Sequence, residues 1–532
     1  MTYRTTVPAL ALALAGLVAH PAVAAAAVNP SPSPSPSPST STSTSTSTVA
    51  PSVQWKPCPS YSDEVARALG ATTEAKLAAF RGLMKRLECG TVSVPLNHGD
   101  PAGRRIDIAV TRLAATDRAR RLGAISILPG GPGGSGYLDA VLRVVPSNER
   151  MAGLNERYDL IGFDPRGVGY STKVACVLPM GGPAEPGPLT KETARTLYDA
   201  QVAANQECAG SDPAFIGQLT TENVARDLDL VRAALGESRF NLLGFSWGTY
   251  LGMAYRSRYP GRTGRAFLDS VAPPVLNVEQ HAEGYTEATE RNFGRMAAWL
   301  AGHDGTYGLG ATAREVREQV AKLIRAYDRS PRTYSDLQRP VDGSVVADLA
   351  ARASVDWARA GKALAELRTA TGATAPPTVK ELIGAPMTRT PVPGMPELSN
   401  GTMNLATVCN EDSSRAGFDS AWSTYQQILR RYPVTGRAAP LPVLCSGWPL
   451  PVQRTTLRRS GGSLVLAGHL YEFMSPYEGV LRSWHAVGGT VYTVADDVHV
   501  SATRVAGCAA DVARYFETGR IGKGCAGMPS PS

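Results

Sequence analysis

Short apolar runs recur through the middle of the chain, and each stops at Gly, Pro or Asp. Residues 124–128 (Ala-Ile-Ser-Ile-Leu), 158–163 (Tyr-Asp-Leu-Ile-Gly-Phe), 240–243 and 266–268 are too short for helices and too apolar to have a solvated face. They predict strands buried on both sides, as in a parallel sheet. Ahead of them, residues 91–96 and 106–113 flank Asn97-His98-Gly99-Asp100 with an alternating pattern that predicts an antiparallel hairpin. Between the runs, residues 221–235 place Val224, Leu228, Val231 and Leu235 at helical spacing, with Thr221 available to cap the start and Gly236 to stop the end. Strand, helix, strand in this order predicts an α/β chain.

After Pro273 and Pro274 the strand pattern ceases. An Ala- and Arg-rich region with helical spacing follows to about Pro440, with helices predicted over 278–300, 313–327 and 344–369. Strand runs then return at 463–467 and 490–494, separated by a helix over 477–486 and closed by another over 502–516. The expected organisation is one α/β core, residues 55–274 and 441–525, interrupted by a helical cap over 275–440 and followed by a tail at 526–532.

The ends and the composition narrow the setting. Residues 1–27 carry Arg4, an apolar stretch from Val7 to Val18 and small residues around Ala22-Val23-Ala24, which predicts a signal peptide. A membrane anchor fits less well, because His20 and Pro21 interrupt a run already short of the roughly 20 apolar residues a span needs. Residues 28–54 are dominated by Ser-Pro and Ser-Thr repeats and predict a solvated linker. No later segment is apolar enough to suggest stable membrane insertion, so the expected location is extracellular, with cell-wall association left open. The chain has 532 residues, 43% hydrophobic and 19% charged, enough for a large core, and its net charge of +8 is dispersed without a Lys/Arg block, which argues against nucleic acid. Cys58, Cys89, Cys176, Cys208, Cys409, Cys445, Cys508 and Cys525 are even in number and widely spaced, as disulfides of an exported protein would be. Their order suggests the sequential bridges 58–89, 176–208, 409–445 and 508–525, although spacing alone does not fix the pairing.

Gly244-Phe245-Ser246-Trp247-Gly248 follows the run at 240–243 and precedes a helix predicted over 249–258, the strand–turn–helix setting of a nucleophile elbow. The glycines allow a sharp turn to pass close to its neighbours, and the helix N-terminus favours developing negative charge on Ser246. By itself the pentapeptide would describe an ordinary tight turn; its setting makes Ser246 the candidate nucleophile. A serine needs a base, and in the order set by this elbow the acid and then the histidine follow it in the chain. His499, after the strand at 490–494, is the expected base, with His469 as the competing choice; His485 falls in a helix. Glu472, in the loop after the strand at 463–467, is the expected acid, and Asp496 and Asp497 compete for that role or orient a solvated turn. No cofactor is required.

Pro129-Gly-Gly-Pro-Gly-Gly-Ser-Gly136 follows the strand at 124–128 directly. Backbone N–H groups on such a turn can face a developing oxyanion, and one donor of that kind contributes about 10²–10³ in rate. The amides of Trp247 and Gly131 are the expected pair. The same stretch fits Gly-x-Gly-x-x-Gly, with Asp159 or Asp164 on the next strand, but Pro132 sits where a dinucleotide phosphate would bind. No Gly-Lys-Ser/Thr follows the glycines and no His-Glu-x-x-His occurs, so neither a P-loop nor a metal site of that type is expected.

Together the glycine-rich turn, Asp164-Pro-Arg-Gly-Val-Gly-Tyr-Ser171, the elbow, Leu268-Asp-Ser270, Ser475-Pro-Tyr-Glu-Gly479 and His499 resemble the exported tripeptidyl aminopeptidases of the prolyl-aminopeptidase family. The resemblance covers about residues 55–525. It implies the α/β-hydrolase fold with an inserted helical cap, a serine exopeptidase acting on peptide substrates, and Ser246 and His499 as nucleophile and base. The family's Gly-x-x-Asp-x-x-Thr-Pro is one residue longer here, Gly468-His-Leu-Tyr-Glu-Phe-Met-Ser-Pro476; counting back from Ser475-Pro476 puts Glu472 at the acid, whereas counting forward from Gly468 puts Tyr471 there. In that family the cap receives the substrate's free N-terminus, which makes Glu411 and Asp412, beside Cys409, candidate counter-charges. An esterase of the same fold, or a secreted binding protein that keeps the fold without the reaction, remain the alternatives.

Overall fold

The computed structural model describes residues 51–176, 185–384 and 392–531. The expected signal peptide and all but the end of the expected linker lie outside the described residues. Those described contain a ten-stranded sheet. Its strands are β1 Gln54–Lys56, β2 Leu87–Pro95, β3 Arg105–Leu113, β4 Gly123–Leu128, β5 Tyr158–Phe163, β6 Phe240–Phe245, β7 Thr263–Asp269, β8 Leu464–His469, β9 Thr490–Val494 and β10 Gly524–Cys525. Across the sheet they run β1-β2-β3-β5-β4-β6-β7-β8-β9-β10. The predicted hairpin is β2 and β3, antiparallel with Leu87 opposite Leu113 and Pro95 opposite Arg105. From β5 to β10 every pairing is parallel.

The central strands are apolar on both faces because helices cover both. Leu242, Leu268 and Leu466 belong to one core, with Val224, Leu228 and Met253 from the helices Thr221–Ala234 and Trp247–Arg258. Their chain neighbours Leu243, Phe267 and Val465 point to the opposite core, with Leu154, Val512 and Phe516 from the helices Glu149–Arg157 and Ala506–Thr518. The two-residue period of a strand divides consecutive apolar residues between the faces. Connections from β4 run to β5 on one side and, through later elements, to β6 on the other, so the ends of β4 and β6 form the switch point where open α/β sheets bind ligands.

β7 and β8 are neighbours, with Asp269 opposite Ala467, yet the chain between them builds the helices Val278–Gly302, Ala313–Arg329, Gly343–Ala350, Trp357–Thr369, Gly401–Glu411 and Phe418–Arg431. Many of these share a core of their own around Phe293, Leu300, Val320, Val346, Trp357 and Leu364. The predicted single helix over 344–369 is instead two, interrupted by a 3₁₀ turn at Ser354–Asp356. Ser354 donates its backbone N–H (2.8 Å) and its hydroxyl (2.5 Å) to the Asp497 carboxylate, a partner only the folded chain supplies. Two termini also shift. Thr220, not Thr221, caps the helix after it, accepting from the Asn223 N–H, and the closing helix begins at Ala506 rather than 502. Ser501 and Ala502 are drawn into bonds with Asp496 and Asp269 instead.

All eight cysteines are paired, as Cys58–Cys89, Cys176–Cys208, Cys409–Cys445 and Cys508–Cys525. The Asp164-Pro-Arg segment owes its form to Arg166, which is fully buried. Its guanidinium donates to both Asp227 oxygens at 2.7 Å, to Leu96 O at 2.6 Å, and to Pro95 O and Gln218 O at 3.2 Å. It thereby joins the hairpin, the loop before helix Thr221–Ala234 and that helix. A buried ion whose partner is removed keeps its desolvation cost without compensation. Asp227→Asn should therefore destabilise the fold by about 3–5 kcal/mol, seen as a lowered urea midpoint with an unchanged slope.

Candidate active site

Ser246 lies at the end of β6, at the N-cap of helix Trp247–Arg258, with φ 55° and ψ −123°. This is backbone that a side-chain-bearing residue rarely adopts. The turn is held by the Ser246 N–H donating to Asp269 O (3.0 Å) and the Thr249 N–H donating to Ser246 O (2.8 Å). Its glycines answer to close approach: a Cβ on Gly248 would lie 2.2 Å from Leu128 O, and one on Gly244 2.7 Å from Gly248 O. The glycine-rich turn after β4 crosses directly beside it, since a Cβ on Gly130 would come within 3.3 Å of the Ser246 Cβ. Gly131, at φ 119°, follows immediately.

Asp164 pins that turn. Its buried carboxylate accepts from the Ser135 hydroxyl (2.6 Å), the Tyr170 N–H (2.8 Å) and the Tyr137 N–H (3.3 Å). Burial raises its pKa to about 6 against the lowering effect of those bonds. Asp159, the other carboxylate of the dinucleotide alternative, accepts from the Ala115 N–H. Both acids are thus taken up by the fold.

His499 comes from the loop after β9, and its Nδ1 is bonded to the Glu472 carboxylate. Burial would raise the pKa of Glu472, but His499, His469 and the Ser270 hydroxyl together hold it below the ordinary carboxylate range. An ionised carboxylate can only accept, so Nδ1 carries the proton and Nε2 is the ring nitrogen left for proton transfer. The second Glu472 oxygen accepts from Ser270 Oγ at 2.8 Å, and that hydroxyl accepts the Val500 N–H at 2.9 Å. Hence consecutive residues of one strand end hold both parts of the candidate site: Asp269 O takes the Ser246 amide and Ser270 Oγ takes the amide after His499. Among the described residues, non-glycine φ angles above zero occur at Ser246, Ser270, Arg415 and Val500. Three of those four lie here, where strain is retained only if the surroundings over-determine it. Ser270 was legible only as part of a motif; its role depends on a contact 202 residues away in the chain.

His469, the competing histidine, is fully buried between two carboxylates, with Nε2 2.9 Å from Asp269 Oδ1 and Nδ1 2.6 Å from Asp496 Oδ1. Burial opposes its charge, but Asp269 and Asp496 prevail and raise its pKa to about 10. It is enclosed as a cation and makes no bond to the serine turn itself. Asp496 and Asp497, expected in a solvated turn, are both buried. Asp497 accepts from Ser354 and from Asn292 Nδ2 (3.0 Å), with the Arg295 guanidinium at 3.4 Å, so it ties the inserted helices to the loop of His499.

Glu411 and Asp412, the candidate counter-charges for a substrate ammonium, are both buried. Asp412 accepts from the N–H groups of Val278 (2.9 Å), Ser414 (3.0 Å) and Arg415 (2.9 Å). Glu411 accepts from the Thr221 N–H (2.5 Å) and the Thr455 hydroxyl (3.2 Å), and burial raises its pKa to about 7. Each carboxylate accepts the first N–H of a helix, Val278 for Asp412 and Thr221 for Glu411, where acceptors are needed.

No group of His, Cys, Asp and Glu among the described residues could hold a metal ion, and no described helix is long and apolar enough to cross a membrane. A family model described as the alpha/beta hydrolase fold matches residues 123–368. A tripeptidyl aminopeptidase of Streptomyces coelicolor is 37% identical over 261 residues, 48% of this chain and 48% of that protein. Serine protease Hip1 of Mycobacterium tuberculosis is 31% identical over 286 residues, 51% of this chain and 49% of that one. Carboxylesterase B of the same species is 33% identical over 198 residues, covering 35% and 33%. The matched part spans about half the length of the first two relatives.

The buried His469 has a consequence for stability. Its folded pKa lies above its unfolded value of 6.5, so its contribution is complete below about 6.5 and is lost as pH rises through about 10. Stability measured by urea unfolding should fall over that interval, and His469→Asn should be less stable at neutral pH and lack most of the fall.

Proposed function

We propose that this chain, which has the α/β-hydrolase fold and is related to tripeptidyl aminopeptidases and serine proteases, is an exported serine peptidase acting on peptide N-termini. The observation that carries the reading is a strained serine at the sheet switch point, held through one strand end to a loop whose imidazole is bonded to a buried, ionised carboxylate. In this reading His499 Nε2 takes the Ser246 proton as Oγ attacks a peptide carbonyl. The imidazolium, stabilised by Glu472, then protonates the leaving amine. The amides of Trp247, at the first turn of its helix, and Gly131, on the turn beside Ser246, would receive the oxyanion. Water then deacylates Ser246 by the same route in reverse.

The inserted helices, joined to the His499 loop through Asp497, would restrict entry to a chain end and give exopeptidase action. Four disulfides suit an oxidising compartment outside the cytoplasm. A carboxylesterase reading is favoured by one relative, and the same groups can cleave an ester.

Ser246→Ala should abolish labelling by a fluorophosphonate; labelling that persists would remove Ser246 from the reaction. Glu472→Gln should lower kcat by roughly 10²–10⁴-fold with the fold intact. Fluorogenic aminoacyl, dipeptidyl and tripeptidyl substrates decide the class: cleavage of tripeptidyl substrates that N-acetylation blocks is expected. Hydrolysis of simple esters alone would favour the esterase.

A further inference from the structure

We propose that His469 is a positioning residue, a buried cation that joins the strand end behind Ser246 to the loop of His499 and through its charge sets the basicity of His499. The proposal rests on the reading of Ser246, His499 and Glu472 as one reacting group.

Its two aspartates are each committed to a different part of the site. Asp269 gives its backbone oxygen to the Ser246 amide (3.0 Å), one carboxylate oxygen to His469 (2.9 Å) and the other to the Ala502 N–H (3.2 Å). Asp496 gives one oxygen to His469 (2.6 Å) and the other to the Ser501 hydroxyl (2.6 Å) and the Met528 N–H (2.7 Å). The imidazole is therefore a crossbar between β7 and the segment from Asp496 to Ala502 that carries His499. With both aspartates ionised, each ring nitrogen faces an acceptor and carries a proton, so the imidazole fills that place as a cation.

The charge matters as much as the bonds. His469 is faced by Asp269, Asp496 and Glu472, and it contributes to keeping Glu472 ionised. His499 is faced by Glu472 and, at its backbone oxygen, by Arg504 Nη2 at 2.8 Å. Arg504 in turn faces Asp269, Asp496 and Arg143, and Tyr492 faces Asp269 from β9. Asp497 is engaged by Asn292, Ser354 and Arg295. Without the His469 cation, Asp269 and Asp496 would lose the charge that lies between them, leaving more negative charge beside the Glu472–His499 pair. That surplus favours the imidazolium and would raise the pKa of His499. Neutralising Asp496 changes the local charge in the opposite sense.

The test is a nitrogen-15 titration of the histidine rings in the full chain, for the wild type, His469→Gln and Asp496→Asn, with kcat and KM measured across the same pH range. In the wild type the His469 ring should remain doubly protonated to well above neutral pH. The His499 midpoint should rise in His469→Gln and fall in Asp496→Asn. The acid limb of kcat/KM should move with it, with kcat reduced and KM little changed. Loosened packing would not move the two variants in opposite directions. An ordinary midpoint for His469 in the wild type, a His499 midpoint that does not respond to His469→Gln, or one that does not fall in Asp496→Asn would overturn the proposal. If His469→Gln does not fold, the wild-type titration and Asp496→Asn still decide it. Absence of Ser246-dependent turnover in the wild type would instead defeat the peptidase reading, which the ring titrations do not require.

Discussion

The end of β7 is where the candidate site is held together. A parallel sheet finishes its strands along one edge, and β6, β7, β8 and β9 are adjacent there, so Ser246, Ser270, Glu472 and His499 all emerge from the same edge although the whole helical insertion separates the first two from the last two in the chain. Adjacency alone would leave them loosely placed. Asp269 and Ser270 remove that freedom, one by accepting the amide of Ser246 and the other by bridging Glu472 and Val500. Left-handed backbone at Ser246, Ser270 and Val500 reflects how tightly these bonds constrain the chain.

The protein also buries several charged side chains. Asp164, Arg166, Asp227, Asp269, His469, Glu472, Asp496 and Asp497 are all nearly inaccessible. Each is paired or multiply hydrogen-bonded, the condition under which a buried charge is tolerated. These groups connect loops that come from distant parts of the chain, and a directional bond specifies geometry in a way that apolar contact does not. The hydrophobic layers on the two sheet faces supply the cohesion; the buried ions give the loops above the sheet their particular form.

The inserted helices connect to this arrangement through polar contacts as well as packing. Asp497 links Asn292, Ser354 and Arg295 to the residue pair just before His499, while Asp412 and Glu411 accept from the starts of helices Val278–Gly302 and Thr221–Ala234. A motion of the insertion would therefore be felt at the His499 loop.

The strands, the hairpin, the elbow and the return of strand pattern after the insertion were legible because each depends on local periodicity or on glycines required at a sharp turn. Residues 158–163 and 490–494 match β5 and β9 to the residue. Chain order and loop position singled out Ser246, Glu472 and His499. Their emergence at one sheet edge, the bridging by Ser270, the enclosure of His469, the burial of Asp496 and Asp497, and the bonds of Glu411 and Asp412 to helix starts were decided by tertiary structure. A carboxylate or imidazole has the same local pattern whether it faces water, a backbone amide or another ion. Its role is set by partners that lie tens to hundreds of residues away, and only folding brings them within bonding distance.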